Sequence, residues 1–102
     1  MPKIFILNKL RKDADPKEYE KWVKEVDYPS TSKWKSVKYY RNHKVTRQLK
    51  GVLECDYIEY GEITNLQDYK KDLSAPWYPE LYKQWKKYVK EAKIIFAEVI
   101  EP

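Results

Sequence analysis

The sequence predicts a single α+β domain over residues 1–102, with elements in the order βαββαβ. Three observations carry that reading. Two stretches near the chain's ends are apolar at both parities, two amphipathic stretches have helical spacing, and a hairpin of β-type composition lies between them. A chain of 102 residues, 42 % hydrophobic and 36 % charged, has room for one modest core and not two.

The first strand is "KIFILNK", residues 3 to 9. Phe5 and Leu7 face one way and Ile4 and Ile6 the other, as in a strand buried on both faces. Asp15 then stands as N-cap, Pro16 at the first helical position and Glu18 three residues after the cap, a capping-box arrangement. Tyr19, Trp22, Val23 and Val26 make one apolar stripe, and Pro29 is expected to end this helix near Asp27 by forcing Tyr28 out of helical geometry. The hairpin follows, from "SVKYYRNHKVTR" through Gly51 to Ile63. Thr64 and Gln67 are placed to cap a short helical turn. "SAPWYPELYKQWKKYVKEA" reads as the second long helix, with Leu81, Trp85, Tyr88, Val89 and Ala92 on one side and Lys83, Lys86, Lys87 and Lys90 on the other. "KIIFAEVI" is the fourth strand. This order is the split βαβ, or ferredoxin-like, motif: a four-stranded antiparallel sheet with two helices on one face. The helices cover one face only, so a second copy of the chain is expected to cover the other, giving a homodimeric α+β barrel.

Composition narrows the function. A lone cysteine, Cys55, excludes an internal disulfide and a thiolate zinc site, and points to the cytoplasm. The N-terminus reads as a strand and not a signal peptide, and no stretch has the apolar length to span a bilayer, so no membrane partner is expected. A net charge of +5 raises the possibility of nucleic-acid binding. The third strand argues against it: Tyr57 and Tyr60 fall on opposite faces, and the acids beside them repel phosphate. His43 has no metal-type cluster around it, and no phosphate loop or nucleophile elbow appears, so neither metal nor cofactor is expected.

Acidic residues carry the candidate chemistry. Ile63 is expected beneath the helices, which by the period of two puts Glu59, Tyr57 and Gly61 with it and sends Ile58, Tyr60 and Glu62 to the other face, unless a bulge occurs at Gly61. Glu59 under a helix layer would be desolvated and its pKa raised, as an acid–base group needs; the alternative is an ion pair with Arg41 or Lys38 across the hairpin. Asp27, an acid at a helix C-terminus, implies a specific partner, or else an Asx turn with the backbone of residues 29–31. Glu59 is the preferred acid–base residue, with Asp27 and Tyr57 assisting. Trp22, Tyr39, Trp77, Tyr78, Tyr82 and Trp85 are the candidate walls for an aromatic heterocycle, with Asn8 at the end of the first strand as a further candidate binding residue.

"YEKWVKEVDYPS", "SVKYY" and "DYIEYGEI", in this order, resemble the RedY-like (HapK) family of prodiginine-type pathways, and the likeness extends over most of the chain. The resemblance implies a dimeric α+β barrel acting without a cofactor on a small molecule of natural-product biosynthesis, as a dehydratase-like lyase working by acid–base chemistry. Cofactor-free oxygenation of an aromatic substrate, and non-catalytic binding of a pathway intermediate, are the alternatives it leaves open.

Overall fold

A computed structural model describes all 102 residues. Four strands, β1 (Lys3–Leu10), β2 (Val37–Lys44), β3 (Tyr57–Ile63) and β4 (Val89–Ala97), form one antiparallel sheet in the order β2-β3-β1-β4. The ferredoxin-like order stands. Helices α1 (Pro16–Trp22), α2 (Tyr28–Thr31), α3 (Leu66–Leu73) and α4 (Tyr78–Lys86) accompany it, α1 and α2 being joined by a π-helical turn, Val23–Asp27.

Local chemistry sets the helix starts. Asp15 caps α1 by accepting from the Lys17 N–H at 2.9 Å, with Pro16 next in line, as expected. Asn65, and not Thr64, caps the third helix, its Oδ1 accepting from the Asp68 N–H at 2.8 Å.

Three boundaries differ from the sequence expectation. The first helix does not end near Asp27: Tyr28 keeps helical angles (φ −60°, ψ −48°) and the chain stays helical through Thr31. Proline lacks an N–H and its ring crowds the preceding turn; the wide π turn, in which the Tyr28 N–H reaches back to the Val23 carbonyl, accommodates both defects. A third helix, α3, stands where only a capped turn was expected. The last helix ends at Lys86, so Val89 and Ala92 lie in β4 instead, opposite Leu10 and Asn8 of β1. No glycine or proline announces this stop. Pairing with β1 decides it, because the strand satisfies backbone groups that a longer helix would leave unmatched along that edge.

Two buried clusters join the helices to the sheet. Tyr19, Trp22 and Val23 pack with Leu10, Tyr57 and Val89 at one end; Trp34 and Tyr69 pack with Ile4 and Ile63 at the other. The opposite face of the sheet has no such cover. Phe5 and Tyr60 pack there with tilted rings, centroids 5.2 Å apart, beside Tyr39 and Ile95, which are 43 % and 47 % exposed.

Candidate functional site

Between the helices and the sheet lies a cavity of about 720 Å³. Its walls are mainly aromatic and aliphatic, and its size suits a small organic molecule. Two carboxyl groups break the apolar lining, Asp27 and Glu59, each only 7 % exposed.

The period of two holds along β3. Tyr57, Glu59, Gly61 and Ile63 are buried on the helix side, whereas Ile58, Tyr60 and Glu62 are half-buried on the other face. No bulge occurs at Gly61. One occurs in β2 instead, where pairing steps from Val37–Ile63 to Tyr39–Glu62 and skips Lys38. The skipped residue turns both Val37 and Tyr40 towards the cavity and Tyr39 away from it. A regular strand would have placed Val37 and Tyr39 on one face and Tyr40 on the other; with the bulge, Tyr39, expected as a wall residue, is off the cavity and Tyr40 is on it.

Tyr40 is the centre of the site. Its hydroxyl lies 2.6 Å from Asp27 Oδ2 and within a short hydrogen bond of Glu59 Oε1. Asn42 Nδ2 donates to the same Asp27 oxygen at 3.2 Å and to the Tyr40 hydroxyl at 3.0 Å. Behind Glu59, the Asn8 amide meets Oε2 at 2.5 Å. The π turn delivers Asp27 to this cluster from the helix side, and β2, β3 and β1 deliver the rest.

Proton counting constrains the arrangement. A phenol has one proton, so Tyr40 donates to one carboxyl only, and the other contact is a hydrogen bond only if that carboxyl is protonated and donates to the phenol oxygen. The geometry therefore fits one proton shared by Asp27 and Glu59 through Tyr40. Electrostatics agree. Burial, followed by the nearby charge of Asp27, pushes Glu59 up to about 7 against the lowering effect of its hydrogen bonds from Tyr40 and Asn8. Burial likewise pushes Asp27 up to about 6. No cation neutralises either, since the two ion pairs of the chain, Arg11 with Asp13 and Lys44 with Glu20, lie elsewhere. The Tyr40 hydroxyl is pushed well above its ordinary range by burial and then by the two carboxyls, so it remains a neutral phenol between them.

Asn8 is suited to either state of Glu59. Its NH₂ donates to a carboxylate, and its carbonyl, fully buried here without a partner, would accept from a carboxylic acid if the amide turned over.

The other expected residues divide. Trp22, Tyr78, Tyr82 and Trp85 line the cavity; the Trp85 indole N–H stands beside Glu59 without completing a hydrogen bond. Tyr57 does not reach the cavity. It lies on the correct face but one step too far along β3, in the core against Tyr19, and its hydroxyl is taken up by Glu20 Oε2 at 2.5 Å. Trp77 packs its ring against Trp34 at a tilt, centroids 5.3 Å apart, just before α4, and is 41 % exposed. Asn8 is a support for Glu59 and not a wall. Neither structural alternative for the acids survives: Glu59 has no partner among Arg41 or Lys38, and the Asp27 side chain bonds to β2 and not to residues 29–31. His43 is exposed on the outer face, its Nδ1 3.4 Å from the Ile58 carbonyl.

Comparison with known proteins follows the same lines. The family model described as REDY-like protein HapK matches residues 2–100. Among solved structures, HapK from Hahella chejuensis is similar with a TM-score of 0.84 and 21 % identity, over 100 % of this chain and 95 % of that one. A hydroxynitrile lyase from Passiflora edulis has a TM-score of 0.80 at 10 % identity, over 99 % and 94 % of the two chains. A dimeric protein of ferredoxin-like fold from Bacteroides fragilis has a TM-score of 0.69 at 17 % identity, over 96 % and 95 %. No curated protein matches the sequence. At these identities the solved structures establish a shared fold, and the match along nearly the whole chain establishes the lineage: the protein belongs to the REDY-like HapK family.

Proposed function

We propose that this chain is a cofactor-independent, dehydratase-like lyase of natural-product biosynthesis, acting on a small aromatic or nitrogen-heterocyclic alcohol bound between sheet and helices. The observation that carries the reading is the Asp27–Tyr40–Glu59 cluster at the buried end of an apolar cavity. Loss of water needs an acid and a base at once, and two carboxyls sharing one proton supply one of each.

In the forward step the protonated member, Glu59, gives its proton to the departing hydroxyl as the C–O bond breaks. Asp27, as carboxylate, takes the proton from the neighbouring atom, whose bonding electrons form the new double bond. Water leaves, and the pair again holds one proton, now on Asp27. Transfer through the Tyr40 hydroxyl returns it to Glu59, so no net proton is consumed. The apolar walls keep bulk water from competing for that proton. A fold relative bears the name of a hydroxynitrile lyase, so lyase chemistry is compatible with this scaffold.

A homodimer belongs to the same reading, built on the open face of the sheet around Phe5, Tyr39 and Tyr60. The catalytic test is a screen of hydroxylated aromatic and heterocyclic compounds for loss of one water by mass spectrometry. Glu59→Gln and Asp27→Asn should each lower turnover at least about a hundredfold while leaving the fold intact, in line with the usual contribution of a general acid or base. Full turnover in both variants contradicts the assignment.

A further inference from the structure

The charged residues of the cavity are segregated by depth. Asp27 and Glu59 lie at its buried floor. Its rim is made by α3, α4 and β4, whose Tyr82, Ile94 and Phe96 are 42 %, 56 % and 45 % exposed, and there the charged lining residues are Lys70 and Lys86. Neither lysine is in an ion pair within the chain. The Lys86 ammonium is held at the rim by the Lys90 carbonyl at 3.1 Å and by the face of Trp85, 5.8 Å from the ring centroid. A ligand in the cavity would therefore meet cations only at the outer lining, on α3 and α4, and a carboxyl pair bearing negative charge at the buried floor. An anionic group is repelled from the floor and attracted to the rim, which fixes the ligand's direction as well as its charge.

We propose that the substrate is an amphipathic anion: an aromatic body with a carboxylate, sulfonate or phosphate ester attracted to the outer lining by Lys70 and Lys86, and the hydroxyl to be eliminated at the Asp27–Glu59 end. This rests on the lyase reading for the hydroxyl, but the preference for an anion is separable from it. It makes Lys70 and Lys86 specificity residues with no part in proton transfer.

The test uses two fluorescent dyes with one aromatic body, anilinonaphthalene sulfonate and the uncharged N-phenylnaphthylamine. Wild-type protein is expected to bind the sulfonate about tenfold tighter. Lys70→Met and Lys86→Met together should remove that preference and leave the affinity for the uncharged dye within about twofold, because each methionine keeps most of the apolar stem. Phe96→Ala, at the exposed rim, should weaken both dyes alike. Equal affinity for the two dyes in wild type, or equal losses in the lysine variant, overturns the proposal; so does unchanged binding of both in Phe96→Ala, which would place the dyes outside the cavity. Asp27→Asn and Glu59→Gln should retain the dye preference. Loss of preference with turnover intact refutes the anion alone, and loss of turnover assignment with preference intact refutes the lyase reading alone.

Discussion

Glu59 owes its chemistry to a lack of compensation. A buried carboxyl normally finds a cation; this one finds a phenol, an amide and a second carboxyl. Because its pKa is raised from 4.5 to about 7, the folded protein binds a proton that the unfolded chain has already lost in that interval. Stability from this group is thus fully present below about pH 4.5 and is lost as pH rises through about 7. The loss amounts to a few kcal/mol, at about 1.4 kcal/mol per pKa unit. Urea titrations at a series of pH values should show stability falling between about pH 4 and pH 7, and Glu59→Gln should flatten that slope. Asp27, raised by the same burial, acts in the same direction. At this scale the sequence was legible where periodicity was unbroken. Parity alone assigned Glu59 to the helix side, since β3 runs without a bulge; the same parity included Tyr57 because it says nothing of where along the face a cavity ends.

At the scale of elements, two local irregularities assemble the site, and neither is marked in the sequence by a pattern that periodicity detects. The bulge at Lys38 exchanges Tyr39 for Tyr40, and the π turn sets the rotation at which Asp27 leaves the helix. Pro29 was visible, but its usual consequence, an early helix end, was averted by the wide turn before it. Deleting Glu25, an exposed residue of that turn, would restore ordinary α-helical spacing and rotate one side of the helix by roughly 100° relative to the other. Asp27 and the Tyr19–Trp22 stripe then cannot both keep their places. The deletion is expected to lower the melting temperature and abolish turnover, whereas Glu25→Ala should do neither; circular dichroism and the turnover assay distinguish them. Wild-type activity in the deletion would show that the π turn does not position Asp27.

On the scale of the whole molecule, the architecture followed from the two terminal strands and the hairpin between them, and the order β2-β3-β1-β4 places their apolar residues on two faces. Helices cover one. The other presents Phe5, Tyr39, Tyr60 and Ile95, a patch of the kind that monomeric proteins seldom leave in water. Sedimentation velocity should therefore give a dimer, and Tyr60→Lys, which sets like charges facing each other across a two-fold contact, should shift it to monomer. A wild-type monomer at micromolar concentration contradicts the proposed dimer without touching the site, because all the residues of the carboxyl cluster come from one chain.

The claim on which the account turns is that Asp27 and Glu59 share a proton through Tyr40. Carboxyl-carbon NMR titration of the protein labelled at Asp and Glu addresses it directly. The account predicts that both carbons titrate well above the ordinary carboxylate range, with apparent values near 6 and 7, and that each curve shows two steps because each group senses the other. Single-step titration of either residue near its ordinary value, about 4, would contradict it.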